Sequence, residues 1–200
     1  MLLLAIVSIF IAMKRIALFA SGNGSNAEKI ILHFLNSVEI NVALIVSSNA
    51  DAFILKRAKR HNIPSLVLDR IEFKKTDNLL TNLNKYQIDF IVLAGFLWLV
   101  PKYLIRAFPK LIINIHPALL PKYGGKGMYG MNIHRAVIDA KETESGITIH
   151  YVNEEYDEGI IIFQKSCTID AKDTPDALAK KILLLEHEYL PKVIEGLLNP

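Results

Sequence analysis

The sequence predicts a three-layer α/β fold, with a mostly parallel central sheet and helices on both of its faces. Three observations predict it. Short apolar runs alternate with stretches of helical period as far as residue 115, joined by short connections, which is the pattern of successive strand–helix–strand units. Residues 89–94, Asp-Phe-Ile-Val-Leu-Ala, are almost continuously apolar, as a central strand covered on both faces must be. The chain has 200 residues, 52% of them hydrophobic and 22% charged, which suffices for one α/β domain with a sizeable core.

In order, residues 15–20 read as the first strand, and 25–36 as a helix with apolar Ile30, Ile31, Phe34 and Leu35. Residues 42–47 form the second strand and 50–61 a helix that ends near Asn62-Ile63-Pro64. A short strand over 65–68 precedes a helix over roughly 73–85, then the central strand at 89–94. A helical turn follows Pro101, and 111–115 is the next strand. Residues 122–131 hold Gly124, Gly125, Gly127 and Gly130 around Tyr123 and Tyr129 and read as a mobile loop. A helix over 132–140 leads to two strands, 146–152 and 159–168, joined by an acidic turn over 153–158. Asp173-Thr174-Pro175-Asp176 is a helix start. That closing helix runs to about Leu190, where Pro191 either kinks it or begins another through Leu198.

The totals limit function. The net charge of +3, from 23 basic and 20 acidic residues, gives no ground for nucleic-acid binding and suits an anionic small molecule. Cys167 is the lone cysteine, so there is no intrachain disulfide and no cysteine-based metal site, as suits a reducing compartment. Residues 1–12 are nearly all apolar. They are too short to span a bilayer and lack the basic start of a signal peptide. Met13 then reads as the functional start and 13–200 as a single domain; a membrane-associating or processed leader is the alternative.

The chemistry concentrates at Asn114-Ile115-His116-Pro117, where an amide and an imidazole stand two residues apart near a strand's C-terminal end. Alternation puts both on one face, where open α/β sheets bind ligands. An amide donor beside a titratable ring can polarise a carbonyl and manage a proton. His116 alone reads first as a satisfied structural histidine, and Asn114 on the same face shifts that reading towards chemistry. Asp157, in the acidic turn before Gly159, is the carboxylate that would keep the ring charged. Ser21-Gly22-Asn23-Gly24-Ser25-Asn26 joins the first strand to the first helix and can cradle a monophosphate on free N–H groups. It is neither a dinucleotide fingerprint nor a Walker loop, and it also fits a plain glycine turn capped by Ser25. The stretch Ala94-Gly95-Phe96-Leu97-Trp98-Leu99-Val100-Pro101 could line an apolar slot for a flat ring or simply pack. Glu186-His187 in the closing helix could reach the site from one side; taken alone, each is most simply a surface residue.

Together these residues resemble the folate-dependent phosphoribosylglycinamide formyltransferase family. The likeness covers residues 13 to about 197 and rests on Ser-Gly-Asn-Gly-Ser-Asn at 21–26, Leu-Ala-Gly-Phe at 93–96, Asn-Ile-His-Pro-Ala-Leu-Leu-Pro-Lys-Tyr at 114–123, Asp157 before Gly159, and Glu186-His187 ahead of Tyr189 and Pro191. It implies a Rossmann-like three-layer formyltransferase fold and transfer of a formyl group from 10-formyltetrahydrofolate to glycinamide ribonucleotide in purine (IMP) biosynthesis, without a metal. It implies that Gly24, Ser25 and Asn26 hold the substrate phosphate and that Glu186 engages the glycinamide end. Leu97, Trp98, Leu99 and Val100, with Asn114, would bind the folate. Asn114, His116 and Asp157 would be catalytic, and His150 stands where the family has another active-site histidine. A cytoplasmic enzyme, monomeric or weakly dimeric, without nucleic-acid or membrane partners, is the expectation.

Two departures are visible. The family often has an arginine where Trp98 stands, and another after the third strand, where Phe73-Lys74-Lys75 is the nearby segment here. The 122–131 loop is longer than in the shorter members and reads as a lid variant. The expectation is that the chain has no room for the added domains of methionyl-tRNA formyltransferase or formyltetrahydrofolate hydrolase. A non-catalytic phosphate-binding module would have no use for Asn114, His116 and Asp157 together.

Overall fold

The computed structural model describes residues 13–75 and 78–199; the expectation for residues 1–12 lies outside them. Seven strands form one sheet in the order β3-β2-β1-β4-β5-β6-β7. They are β1 (Lys14–Phe19), β2 (Ile40–Ser47), β3 (Ser65–Val67), β4 (Phe90–Leu93), β5 (Ile112–His116), β6 (Glu144–Tyr151) and β7 (Ile161–Thr168). The first five pair in parallel, while β6 and β7 add antiparallel strands at one edge. The expected mostly parallel, helix-flanked sheet is what the chain forms.

Alternation along each strand divides the core in two. In β1, Ile16 and Leu18 enter the core beneath α1 (Ser25–His33), α2 (Phe53–Arg60), α6 (Met131–Asp139) and α7 (Pro175–Leu198). Ala17 and Phe19 enter the opposite core, beneath α3 (Arg70–Lys75), α4 (Asn78–Lys85) and α5 (Lys102–Ala107). In β5, Ile113 and Ile115 join the first core and Ile112 the second. Asn114 and His116 therefore share a face with Ile112.

Chain order reverses beside β1, with β2 on one side and β4 on the other. In such sheets the crevice at the strands' C-terminal ends is the natural ligand site. The loops leaving β1 and β4 meet there: Ser21 N–H donates to the Gly95 carbonyl (2.9 Å), and Leu97 N–H to Ser21 Oγ (3.1 Å).

Two elements differ from expectation. The residues expected as one helix over 73–85 fall in α3 and α4, and α3 starts early because the Asp69 carboxylate accepts the Ile71 and Glu72 N–H groups (2.8 and 3.0 Å). The closing helix is continuous through Pro191, which is buried inside it. Pro191 removes a helical N–H, while Leu190 and Ile194 on either side are fully buried in the core and keep the last turns docked. Among the described residues no helix is long and apolar enough to cross a membrane.

Candidate active site

Antiparallel pairing of β5 with β6 sets Asn114 opposite His150 and His116 opposite Thr148. His150 thus completes a polar cluster that Asn114 and His116 only begin. Asn114 Nδ2 lies 3.1 Å from His150 Nε2 and donates to Asp157 Oδ1 at 3.4 Å. The amide hydrogens satisfy both only if His150 Nε2 is an acceptor. His150 Nδ1 then holds the ring proton, and it lies 2.9 Å from the Tyr151 carbonyl that accepts it. His116 has an acceptor at each nitrogen: the Tyr123 carbonyl 2.8 Å from Nε2, and Asp157 Oδ1 3.4 Å from Nδ1. That setting fits a ring protonated on both nitrogens.

Asp157 reaches this cluster through a turn that the sequence builds for it. It adopts φ 58, and the chain returns at Gly159, where a Cβ would stand 1.6 Å from the Tyr151 carbonyl oxygen. Only glycine fits there. Burial of Asp157 favours its neutral form, but the hydrogen bond from His116, the His116 charge and the Gly125 N–H outweigh it. The carboxyl is held well below the usual carboxylate range, so it is an anion at any physiological pH.

The 122–131 segment covers this centre. Besides the Tyr123 carbonyl on His116, Gly125 N–H donates to Asp157 Oδ2 at 2.9 Å. Tyr123 Oη and Lys122 Nζ both reach Glu142 Oε1 (2.9 and 2.8 Å), anchoring the start of the segment to the turn between α6 and β6. A cleft of about 680 Å³ opens between this segment, the 95–100 loop, β5 and α7, a size suited to a drug-sized ligand.

At the other end of the cleft, Asn26 Nδ2 donates to Glu186 Oε2 at 2.8 Å. Glu186 is 8% exposed, and burial pushes its carboxyl up to about 7 against the opposing effects of Asn26 and the His116 charge. Asn26 Oδ1 is buried without a partner. Gly24 has φ 71 and packs so closely on Ile54 that a Cβ would come within 2.5 Å of it. Arg57 braces the turn, donating to the Asn23 carbonyl (3.0 Å), Asn23 Oδ1 (2.9 Å) and Glu28 Oε2 (3.0 Å). Of the predicted phosphate residues, Asn26 lines the cleft, whereas Gly24 and Ser25 lie outside its wall at the start of α1.

Leu97, Trp98, Leu99 and Val100 all line the cleft. Val100 is buried, while Leu97 and Leu99 offer apolar side chains to it. Trp98 packs against Phe73 (5.5 Å) and Phe96 (6.0 Å). An arginine does follow the third strand: Arg70, whose guanidinium lies 5.8 Å from the Trp98 ring. His134 on α6 also faces the cleft; it is buried, Nδ1 has no partner, and burial together with the His116 charge lowers its pKa. Sequence reasoning passed over His134, Arg57, Arg70 and the Tyr123 carbonyl. For His134 the available signal was an imidazole on the buried face of a helix, beside Ile133 and Val137. Among the described residues no group of three or more His, Cys, Asp or Glu side chains is placed to hold a metal ion.

Residues 14–194 match the family model described as Formyl transferase. A chloroplastic phosphoribosylglycinamide formyltransferase of Arabidopsis thaliana is 44% identical over 187 residues, which are 90% of this chain and 64% of that protein. The chain thus spans less than two thirds of this plant relative. The phosphoribosylglycinamide formyltransferase of Bacillus subtilis is 36% identical over 192 residues, covering 94% of this chain and 96% of its own length. Among solved structures, the phosphoribosylglycinamide formyltransferase of Bacillus halodurans superposes with a TM-score of 0.84 at 37% identity, covering 93% of this chain and 96% of that one.

Proposed function

The chain belongs to the formyl transferase family, and from that premise we propose that it transfers the formyl group of 10-formyltetrahydrofolate to the amino group of glycinamide ribonucleotide, a step of de novo purine (IMP) biosynthesis. The observation that carries the reading is the joining of Asn114, His116 and an ionised Asp157 at one wall of the cleft.

The substrate's amine attacks the formyl carbon, and the carbonyl electron pair moves to oxygen. Asn114 Nδ2–H and His116 Nε2–H donate to that oxyanion, which takes the place of the Tyr123 carbonyl as acceptor for the ring. Asn114's contact with Asp157 is its longer one, 3.4 Å against 3.1 Å, and is the one that yields. Asp157 stays ionised and keeps His116 doubly protonated and oriented. Collapse breaks the C–N10 bond, N10 keeps the electron pair, and the proton lost by the amine is relayed to it through His116 and water. Gly24, Ser25 and Asn26 hold the phosphate, Glu186 receives the amine end, and residues 97–100 with Asn114 hold the folate ring. No step calls for a metal, since an N-formyl aryl amine is already activated.

We take residues 13–200 as the working unit, in the cytoplasm, as monomer or weak homodimer. The lone cysteine suits a reducing compartment, and the near full-length match to the Bacillus subtilis relative supports the single working unit. Formyl transfer from 10-formyltetrahydrofolate to glycinamide ribonucleotide, compared between wild type and His116→Ala, tests the function. Turnover that falls by about 10²-fold or more in the variant is expected; binding without turnover in the wild type would make the protein a binding module instead.

A further inference from the structure

Free positive charge is scarce in the cleft. Its wall carries Glu155, Asp157 and Glu186; His116 is matched to Asp157, and among the described residues lining the cleft Lys126 is the sole lysine or arginine. Both cosubstrates of the proposed reaction bring anionic groups, a phosphate monoester on one and glutamate carboxylates on the other. An anion entering beside fixed carboxylates is repelled unless a cation is near. Nearby cations are already engaged: Arg57 by Asn23 and Glu28, Lys122 by Glu142, Lys102 by Glu154, and Arg70 by the Trp98 ring. Lys126 is exposed and makes no ion pair or hydrogen bond among the described residues.

Its backbone setting suits a residue that closes on a ligand. Gly125 (φ 92) and Gly127 (φ 93) flank it, both in the left-handed region and both with open space where a Cβ would stand. Their conformational freedom lets the ammonium swing, while the Gly125 N–H on Asp157 keeps its base beside the reacting centre. We propose that Lys126 is the anion-recognising residue of the cleft, its ammonium pairing with phosphate or carboxylate oxygens of a bound cosubstrate as the glycines close the segment over it. The proposal rests on the formyl-transfer reading for the identity of its ligands and deepens it.

Steady-state kinetics with each cosubstrate varied in turn, on wild type, Lys126→Ala, Lys126→Arg and the exposed control Lys172→Ala, test it. Lys126→Ala is expected to raise the KM of one cosubstrate by about tenfold or more, with kcat changed by less than about threefold, as for loss of a charge-assisted contact. A rise for glycinamide ribonucleotide assigns the anion to phosphate, and a rise for the folate donor assigns it to carboxylate. Arginine should restore most of the loss, and Lys172→Ala should match wild type. Both KM values within about twofold of wild type, or a loss confined to kcat, would overturn the proposal. If the wild type shows no turnover the functional reading fails, and calorimetric titration of wild type and Lys126→Ala with the same two compounds decides the lysine separately. Tighter binding by wild type supports the role, and no difference between the two proteins ends it.

Discussion

The two ends of the cleft are built differently. At the reacting centre Asn114 Nδ2, both nitrogens of His116 and His150, and both oxygens of Asp157 each have a protein partner. At the far end Asn26 and Glu186 have one bond to each other, and Asn26 Oδ1 is buried with no partner. A buried polar atom left unpaired costs about 1–3 kcal/mol, so the far end gives up stability that the centre keeps. The centre is preorganised for a transition state, since its groups hold their charges and orientation before a ligand arrives. The far end is unfinished until a ligand supplies the missing partner.

The sharpest way to break that contrast is Asp157→Asn. If the centre works by keeping His116 charged, this change should lower kcat by about 10²–10⁴-fold while KM for either cosubstrate moves little. A variant with near wild-type kcat between pH 6 and pH 8 would show that the carboxylate merely holds the Gly125 segment in place.

The pH dependence of stability probes the far end next. Glu186, raised to about 7, binds its proton more tightly folded than unfolded, where its ordinary value is 4.5. Its contribution is thus fully present below about pH 4.5 and lost as pH rises through 7, by about 3 kcal/mol in all. Asp157 has the opposite sign: its pKa is depressed, so its contribution is present above its ordinary 3.8 and lost only in stronger acid. Thermal melts from pH 5 to pH 8 should therefore show wild type losing several degrees relative to Glu186→Gln, about 5–10 °C by the usual scaling. Parallel curves for the two proteins would mean that Glu186 does not titrate in this window.

The centre was more legible in the sequence than the far end, for physical reasons. Asn114 and His116 are local: a period of two puts them on one face whatever the rest of the chain does. His150 reaches Asn114 only through an antiparallel register fixed by long-range pairing, and pattern reading does not supply register. Asp157 could be named from its acidic turn, but Gly159's closeness to the Tyr151 carbonyl, which aims it, could not. Glu186 by itself read as a surface residue, yet a signal was present: Leu178, Ile182, Glu186, Leu190 and Ile194 recur every fourth residue on the buried stripe of α7. A carboxylate in the middle of such a stripe is costly unless it serves a purpose. The strands were legible because their apolar runs are unambiguous, whereas the early start of α3 depended on the single Asp69 cap.

The smallest effect is the most discriminating between the two ends. Asn26→Ala removes the 2.8 Å donor to Glu186 and the unpartnered Oδ1 together. The unpartnered atom costs stability and the donor adds some, so the change in melting temperature should be slight. In the reaction the side chain contacts only bound substrate, in ground state and transition state alike, so its loss removes uniform binding. KM for glycinamide ribonucleotide should rise by about tenfold or more, since a hydrogen bond to a charged group contributes about 1.5–3 kcal/mol, with kcat within about threefold and the folate KM unchanged. Loss of kcat on the scale of Asp157→Asn, with KM constant, would place Asn26 in the reacting centre and erase the distinction between the two ends. The Glu186 carboxyl offers an internal check, because without its Asn26 donor its pKa should move still higher. Melts of Asn26→Ala should then keep losing stability to a higher pH than wild type does.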